Sequence, residues 1–304
     1  MIIIDGNERV GANTVTALGI FDGVHLGHRR VLSAAKKRAA EVHALPAVFT
    51  FKTLSVTSKG RLEALLTDED KLSRFEQLGT EYVCEADFDE LKGLDPEEFI
   101  DRILVERLHC VCAVCGEDFT FGKGGIADAD DLARLCAKRG IETAKVSQLT
   151  IGGEPVSSTN IRFLIKKGEI AHANALLGSR FGITAEIEHG AQIGRTWNFP
   201  TINQTIPKGL VLPRFGVYCS KVCVDGVWFP SVTNIGIKPT VGGTEKPLAE
   251  SFIIGFEGDL YGRKLTTELY EFVRPEQKFS SFAELREEIG RNTEFTKRYF
   301  ETTR

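Results

Sequence analysis

"TVTALGIFDGVHLGHRRVLSAAKKRAAEV" runs from Thr14 to Val42. Val15, Ala17, Leu18 and Ile20 read as a strand, and Arg29 to Val42 mixes charged and apolar residues as a surface helix does. His25 and His28 lie between the two, beside Gly23 and Gly27. A strand that hands over to a helix is where α/β proteins place ligands.

The same alternation continues downstream. "HALPAVFTF", "TEYVCEADF", "CVCAVCG" and "IETAKVSQL" read as strands, separated by the helical "DEDKLSRFEQLG", "PEEFIDRILVERL" and "DADDLARLCAKRG". This order predicts an open parallel sheet covered on both faces. "VSSTNIRFLIKKGEIAHANALLGSRFG" predicts two short helices ended by Gly168 and Gly178. After Ile183 the texture changes to closely spaced strands divided by Gly and Pro, then the helical "SFAELREEIGRNTEFTKRYF". That pattern predicts an antiparallel barrel with a C-terminal helix, and a domain boundary that divides 1–183 from 184–304.

The chain has 304 residues, 42% apolar and 26% charged, with a formal net charge of -4. This is a folded composition with no general attraction to nucleic acid. No apolar run reaches the length needed to cross a bilayer, and the first residues lack the basic start of a signal peptide. Seven cysteines, an odd number, fit a reducing compartment, so a cytoplasmic protein is expected. Cys110, Cys112 and Cys115 sit in an apolar run with no matching pair at zinc spacing, and read as buried thiols.

Glycine lets backbone approach a phosphate closely, and an emerging helix offers unpaired amides. Two imidazoles beside Gly23, Gly27 and Asp22 therefore suit phosphate chemistry, although the spacing matches neither a Walker loop nor the dinucleotide fingerprint. "SSTNIR" offers a second polar helix start: Ser158 or Thr159 could cap it, and Arg162 could carry charge toward a leaving phosphate. In the second half, Gly190 and Gly194 permit close turns, while Thr201 and Asn203 put oxygen-bearing groups on one side of an extended segment. Such groups suit Mg²⁺ or phosphate oxygens, although their period alone favours an ordinary polar strand face.

Together these motifs resemble the bifunctional bacterial riboflavin kinase and FAD synthetase family over essentially all 304 residues. "GIFDGVHLGHR" is similar to its adenylyltransferase signature, "GEDFTFG" to its flavin-side motif and "SSTNIR" to its second ATP-phosphate motif. "GRTWNFPTIN", "NIGIKPT", "DLYG" and "TELYEFVRPEQKF" resemble the kinase module in family order. The resemblance implies a nucleotidyltransferase-type α/β domain followed by a riboflavin kinase barrel. It implies a bifunctional enzyme, which phosphorylates riboflavin to FMN and transfers AMP from ATP to FMN, with Mg²⁺ as cofactor. It implies no nucleic acid, membrane or obligate protein partner.

By the same resemblance, His25, His28 and Arg162 would stabilise adenylyl transfer. Gly19, Phe21, Asp22, Gly23, Gly27, Ser157, Ser158, Thr159, Gly190, Gly194 and Arg195 would surround ATP phosphates. Asp118, Phe119, Phe121 and Arg274 would contact flavin, Thr201 and Asn203 would hold the metal, and Glu268 would be the kinase base. Arg274 could instead pair locally with Glu276.

The family pattern is broken in three places. "FTFKTLSVTSKG" has Lys52 in place of an acidic residue and lacks a His-Pro pair, "WNFPT" replaces Leu-Gly before FPT, and Gly255 stands where an acid is common. Two further readings therefore stay open: a riboflavin kinase with an impaired first domain, and a flavin-nucleotide binding protein without turnover.

Overall fold

The computed structural model describes residues 1–4, 8–53, 63–189, 200–239 and 245–302. It divides into two compact units, Met1–Ser158 and Thr159–Arg304.

The first unit is built on a six-stranded sheet of β1 (Ile2–Ile4), β2 (Thr14–Leu18), β3 (Leu45–Phe51), β4 (Tyr82–Ala86), β5 (Cys110–Gly116) and β6 (Glu142–Val146). Their order is β1-β4-β3-β2-β5-β6, with every neighbouring pair parallel. Helices α1 (Leu26–Glu41), α2 (Asp68–Gln77) and α3 (Ala129–Ala137) alternate with the strands. Alternate residues feed two separate cores. Phe49, Cys84 and Ala113 pack on one face with Phe99, Ile100 and Leu132, while Val48, Val83 and Val114 pack on the other with Leu32 and Phe75. The sheet is thus covered on both sides, as the near-continuous apolar strands require. The chain leaves β2 toward β3 on one side and reaches β5 on the other, so the order reverses at the carboxyl ends of β2 and β5. Ligands of open α/β sheets bind at that crevice.

Two local expectations differ. β2 ends at Leu18 and Ile20 is 46% exposed, because the chain turns away before Phe21, whose φ is 53°. Helix α1 begins at Leu26 rather than Arg29, because the His25 side chain caps it.

In the second unit, α4 (Ser158–Lys167) and α5 (Ile170–Leu177) precede the barrel. Gly168 and Gly178 follow them with φ of 84° and 65°, the left-handed stop that glycine allows. After the short ribbon of β7 (Thr150–Ile151) and β8 (Glu154–Pro155) in the first unit, strands β9 (Phe181–Glu188), β10 (Thr201–Thr205), β11 (Gly216–Val224), β12 (Val227–Pro239), β13 (Glu245–Ile253) and β14 (Lys264–Arg274) close in the order β10-β13-β12-β11-β14-β9. Asn174 of α5 ties the barrel shut: its amide donates to the Leu269 carbonyl at 2.8 Å and accepts from the Phe181 N–H at 2.7 Å. Helix α6 (Phe282–Thr302) packs on β11 and β12, with Thr296 buried against Cys219 at 3.3 Å.

Much of the barrel interior is polar and internally satisfied. Ser220 bonds Ser231 and Thr233 at 2.7 Å each, Thr233 bonds Ser251 at 2.7 Å, and Thr267 donates to Gln204 at 2.6 Å. Outward-facing residues alternate with these. Thr201, Asn203, Glu250 and Asn234 stand on the outer face.

Candidate active sites

In the first unit, Gly23 and Val24 follow Phe21 into positive φ, at 85° and 43°. A β-branched residue there is strained, and strain persists only where the surroundings over-determine it. They do: the carbonyls of Ile20, Asp22, Gly23 and Val24 accept from Thr50 Oγ1 (2.8 Å), Ser158 Oγ (2.8 Å), Arg74 Nη1 (3.0 Å) and Arg29 Nε (3.1 Å). The Asp22 carboxylate accepts the Leu65 N–H at 2.8 Å. With its carbonyls held in this way, the loop delivers the start of α1, whose first amides have no partner within the helix.

His25 is 4% exposed, and its Nδ1 accepts the His28 N–H at 3.2 Å. The two imidazoles stack at 3.5 Å with a 17° angle between planes, and Phe21 meets His28 edge-on at 5.3 Å. Gly27 makes room for this: a Cβ there would lie 3.1 Å from the His25 ring. A Cβ at Gly19 would likewise crowd the Phe21 ring at 3.1 Å. Ser158 binds the loop instead of capping α4, Ser157 is half-buried and Thr159 is exposed. Arg162 is half-buried on the first turn of α4, in the second unit.

At the carboxyl end of β5, the Phe119 N–H closes a turn on the Gly116 carbonyl at 3.2 Å. Asp118 is exposed and lies over Gly116, where a Cβ would come within 2.6 Å of its carboxylate. Phe119 is half-buried and stacks on Phe121 at 5.8 Å; Phe121 is 6% exposed, in the core beside Phe99. Of these three candidates, Asp118 is exposed, Phe119 is partly open to solvent and Phe121 is buried.

Near the end of β3, Lys71 of α2 is 1% exposed. Its ammonium donates to the Phe51 carbonyl at 2.6 Å and meets Glu85 at 3.1 Å and Asp68 at 3.3 Å. Asp68 also accepts the Thr53 N–H, at 2.6 Å.

On the outer face of the barrel, Thr201 Oγ1 donates to Glu250 Oε1 at 3.0 Å. Asn203 pairs in register with Glu250, and Glu250 with Asn234. Asn203 is 8% exposed, and no hydrogen bond links its side chain to the other described residues. A buried amide beside a hydroxyl and a carboxylate is an oxygen-rich set that fits a hard divalent cation.

Glu268 lies elsewhere. It faces Gly182, whereas Asn203 faces Glu188, six residues further along β9. At about 3.3 Å per residue the two are about 20 Å apart, beyond the reach of any side chain. Glu268 accepts from the Tyr270 phenol at 3.0 Å and is paired across strands with Lys221, whose ammonium sits 4.5 Å over Phe300 of α6. Burial, with Glu268 adding to it, pushes the Tyr270 phenol up to about 12. Glu268 thus stands apart from Thr201 and Asn203, and the carboxylate beside those two is Glu250.

The FAD synthetase family model matches residues 8–160, and the riboflavin kinase model matches residues 177–300. The chain belongs to the bifunctional riboflavin kinase/FMN adenylyltransferase family. A family member from Bacillus subtilis is 37% identical over 301 residues, covering 96% of this chain and 94% of that one. One from Escherichia coli K12 is 32% identical over 295 residues, covering 95% and 94%. A crystal structure described as a macrolide-efflux protein from Streptococcus pneumoniae has a TM-score of 0.86 and 26% identity, covering 98% of this chain and 99% of that one. No helix among this chain's described residues is long and apolar enough to cross a membrane.

Within this family frame, Gly190, Gly194 and Arg195 lie outside the described residues. Arg274 binds Glu288 of α6 at 3.0 Å and stacks over Phe279 at 5.6 Å, so its partner is not Glu276. Sequence reasoning missed Glu250. The signal was available as alternation in "AESFII", which puts Glu250 on the face opposite Ala249 and Ser251. Register across three strands was not available.

Proposed function

We propose that this chain phosphorylates riboflavin to FMN with ATP and then joins AMP from a second ATP to FMN, giving FAD and pyrophosphate. The observation that carries this reading is that the two family models divide the chain, FAD synthetase over residues 8–160 and riboflavin kinase over residues 177–300.

Adenylyl transfer is assigned to residues 1–183. An FMN phosphate oxygen attacks the α-phosphorus of ATP as the bond to pyrophosphate breaks. The attacking oxygen is already anionic, so alignment and charge control do the work. His25, His28 and Arg162 donate to phosphoryl oxygens and to the leaving pyrophosphate. The loop from Gly19 to Gly27, with Phe21, Asp22 and Gly23, shapes the phosphate cradle together with Ser157, Ser158 and Thr159. Asp118 and Phe119 orient the flavin, and Phe121 backs them from the core.

Phosphorylation is assigned to residues 184–304. Glu250 takes the proton of the terminal ribityl hydroxyl while that oxygen attacks the γ-phosphorus and ADP leaves. Thr201 and Asn203 hold Mg²⁺, which neutralises phosphate charge when bound. Thr201 donates its proton to Glu250, which keeps the hydroxyl's lone pairs for the cation. Arg274, fixed by Glu288, flanks the flavin end. The setting is proposed to be cytoplasmic, with small-molecule ligands and no nucleic acid, membrane or obligate protein partner.

Time-resolved separation of riboflavin, FMN and FAD after adding ATP and Mg²⁺ tests the whole reading. FMN followed by FAD is expected. FMN that accumulates without FAD favours the impaired-domain reading, which the absent His-Pro pair motivates. Unchanged riboflavin with a folded chain overturns both in favour of binding without turnover.

A further inference from the structure

Asn203, Glu250 and Asn234 face one another across β10, β13 and β12, on the outer face. Direct cross-strand partners share a face with Cβ atoms about 5 Å apart. Beyond this row, the Asn234 amide nitrogen donates to Glu276 Oε1 at 3.3 Å. A carboxylate only accepts, so this bond turns the amide's NH₂ toward Glu276 and leaves Oδ1 as an acceptor. Glu276 reaches this position because residue 236 is glycine. A Cβ on Gly236 would stand 2.2 Å from the same carboxylate oxygen.

Next to Glu250 there is thus a neutral acceptor of fixed orientation, with a second carboxylate behind it. Phosphate oxygens are repelled by that pair of carboxylates, whereas hydroxyl donors are matched by it. We propose that Asn234, oriented by Glu276, is a specificity-determining residue of the kinase centre, accepting a hydrogen bond from a hydroxyl of the substrate's polyol chain beside the one Glu250 deprotonates. This inference rests on the assignment of Glu250 as base. Asn234 touches substrate; Glu276 is a positioning residue that acts through it. A chain without that hydroxyl leaves the Asn234 acceptor unpaired, which is how a polar site rejects an analogue.

The test uses the full chain with riboflavin and with an analogue lacking the ribityl hydroxyl next to the terminal one. Asn234→Ala is expected to raise KM for riboflavin about tenfold, the factor for one neutral hydrogen bond, with kcat and KM for ATP nearly unchanged. Preference for riboflavin over the analogue should collapse by the same factor. Riboflavin binding without ATP, read by flavin fluorescence, should weaken in parallel. Glu276→Gln should give part of this effect, because a glutamine no longer dictates the amide's orientation, and Glu276→Asp should restore most of it.

If Asn234→Ala does not fold, Asn234→Ser is read by the same criteria. Unchanged KM and unchanged preference in the folded variant, while Glu250→Gln abolishes FMN formation, overturns this inference and leaves the base assignment standing. Retained FMN formation in Glu250→Gln overturns the base assignment itself.

Discussion

Ser158 Oγ donates to the main-chain carbonyl of Asp22 at 2.8 Å, joining two motifs 136 residues apart in sequence. Ser158 thereby helps hold the strained loop that ends at His25. Replacing it with alanine leaves that carbonyl without this donor, at a cost of about 1–3 kcal/mol concentrated in the loop. Ser158→Ala should slow conversion of FMN to FAD about tenfold and leave conversion of riboflavin to FMN unchanged. An equal loss in both steps would contradict a local role.

Gly27 can be tested without removing any functional group. A Cβ there meets the His25 ring at 3.1 Å, and that ring is stacked on His28 at 3.5 Å and cannot retreat freely. Alanine favours a helix interior over glycine by about 1 kcal/mol, which offsets part of this crowding, so Gly27→Ala should still fold. FAD formation should nevertheless fall tenfold or more. A variant as active as the parent would show that the stacked geometry is not required.

Glu250 and Glu268 offer a paired comparison. Removal of a general base costs about 10²–10⁴-fold. Glu250→Gln should reduce riboflavin phosphorylation by that order, whereas Glu268→Gln should stay within about threefold. Glu268→Gln should show its effect in thermal melting, since Tyr270 and Lys221 lose their charged partner near α6. Steady-state rates and melting curves of the two variants separate the roles.

Lys71 is a buried cation with two carboxylates and a carbonyl around it. Its removal by Lys71→Ala leaves Glu85, 8% exposed, without its ammonium. Breaking such a pair costs about 3–5 kcal/mol. Chemical denaturation should show that loss in the first unit, and FAD formation should fall with it because the Phe51 carbonyl loses its anchor. A loss below about 1 kcal/mol would mean that water replaces the lysine.

Thiol chemistry should discriminate sharply among the seven cysteines. Burial pushes Cys110 and Cys115 up to about 12 and Cys136 and Cys219 up to about 11, so at pH 8 they are protonated as well as enclosed. Thiolate is the reactive form. Cys223, which is half-exposed, should therefore be labelled first in the native chain, with the other six reacting only on unfolding. Mass mapping after brief alkylation reads this directly, and early labelling of Cys110 would contradict it.

The strands of the first unit were legible because their apolar runs and intervening helices obey different periods, and Gly168 and Gly178 ended their helices as their residue type suggests. Ile2–Ile4 escaped notice as a strand, since three apolar residues at a terminus carry no period. The start of α1 was misjudged because a histidine is an unusual cap. His25, His28, Thr201 and Asn203 are candidates that side-chain chemistry at element ends suggests. The resemblance of "TELYEF" to a kinase strand points to Glu268, whereas the closeness of Glu250 to Thr201 and Asn203 depends on pairing between strands far apart in sequence.

The hydroxyl network inside the barrel bears on that pairing. An apolar interior tolerates a strand that slides, because one methyl group substitutes for another. Ser220, Ser231, Thr233, Ser251, Gln204 and Thr267 cannot exchange partners in that way. A slip of one residue would break these bonds together and turn the outer residues inward. The interior thus works as the teeth of a key: residues that never meet a substrate fix which outer side chains stand opposite one another. Drift in the network would spoil phosphoryl transfer before it melted the fold.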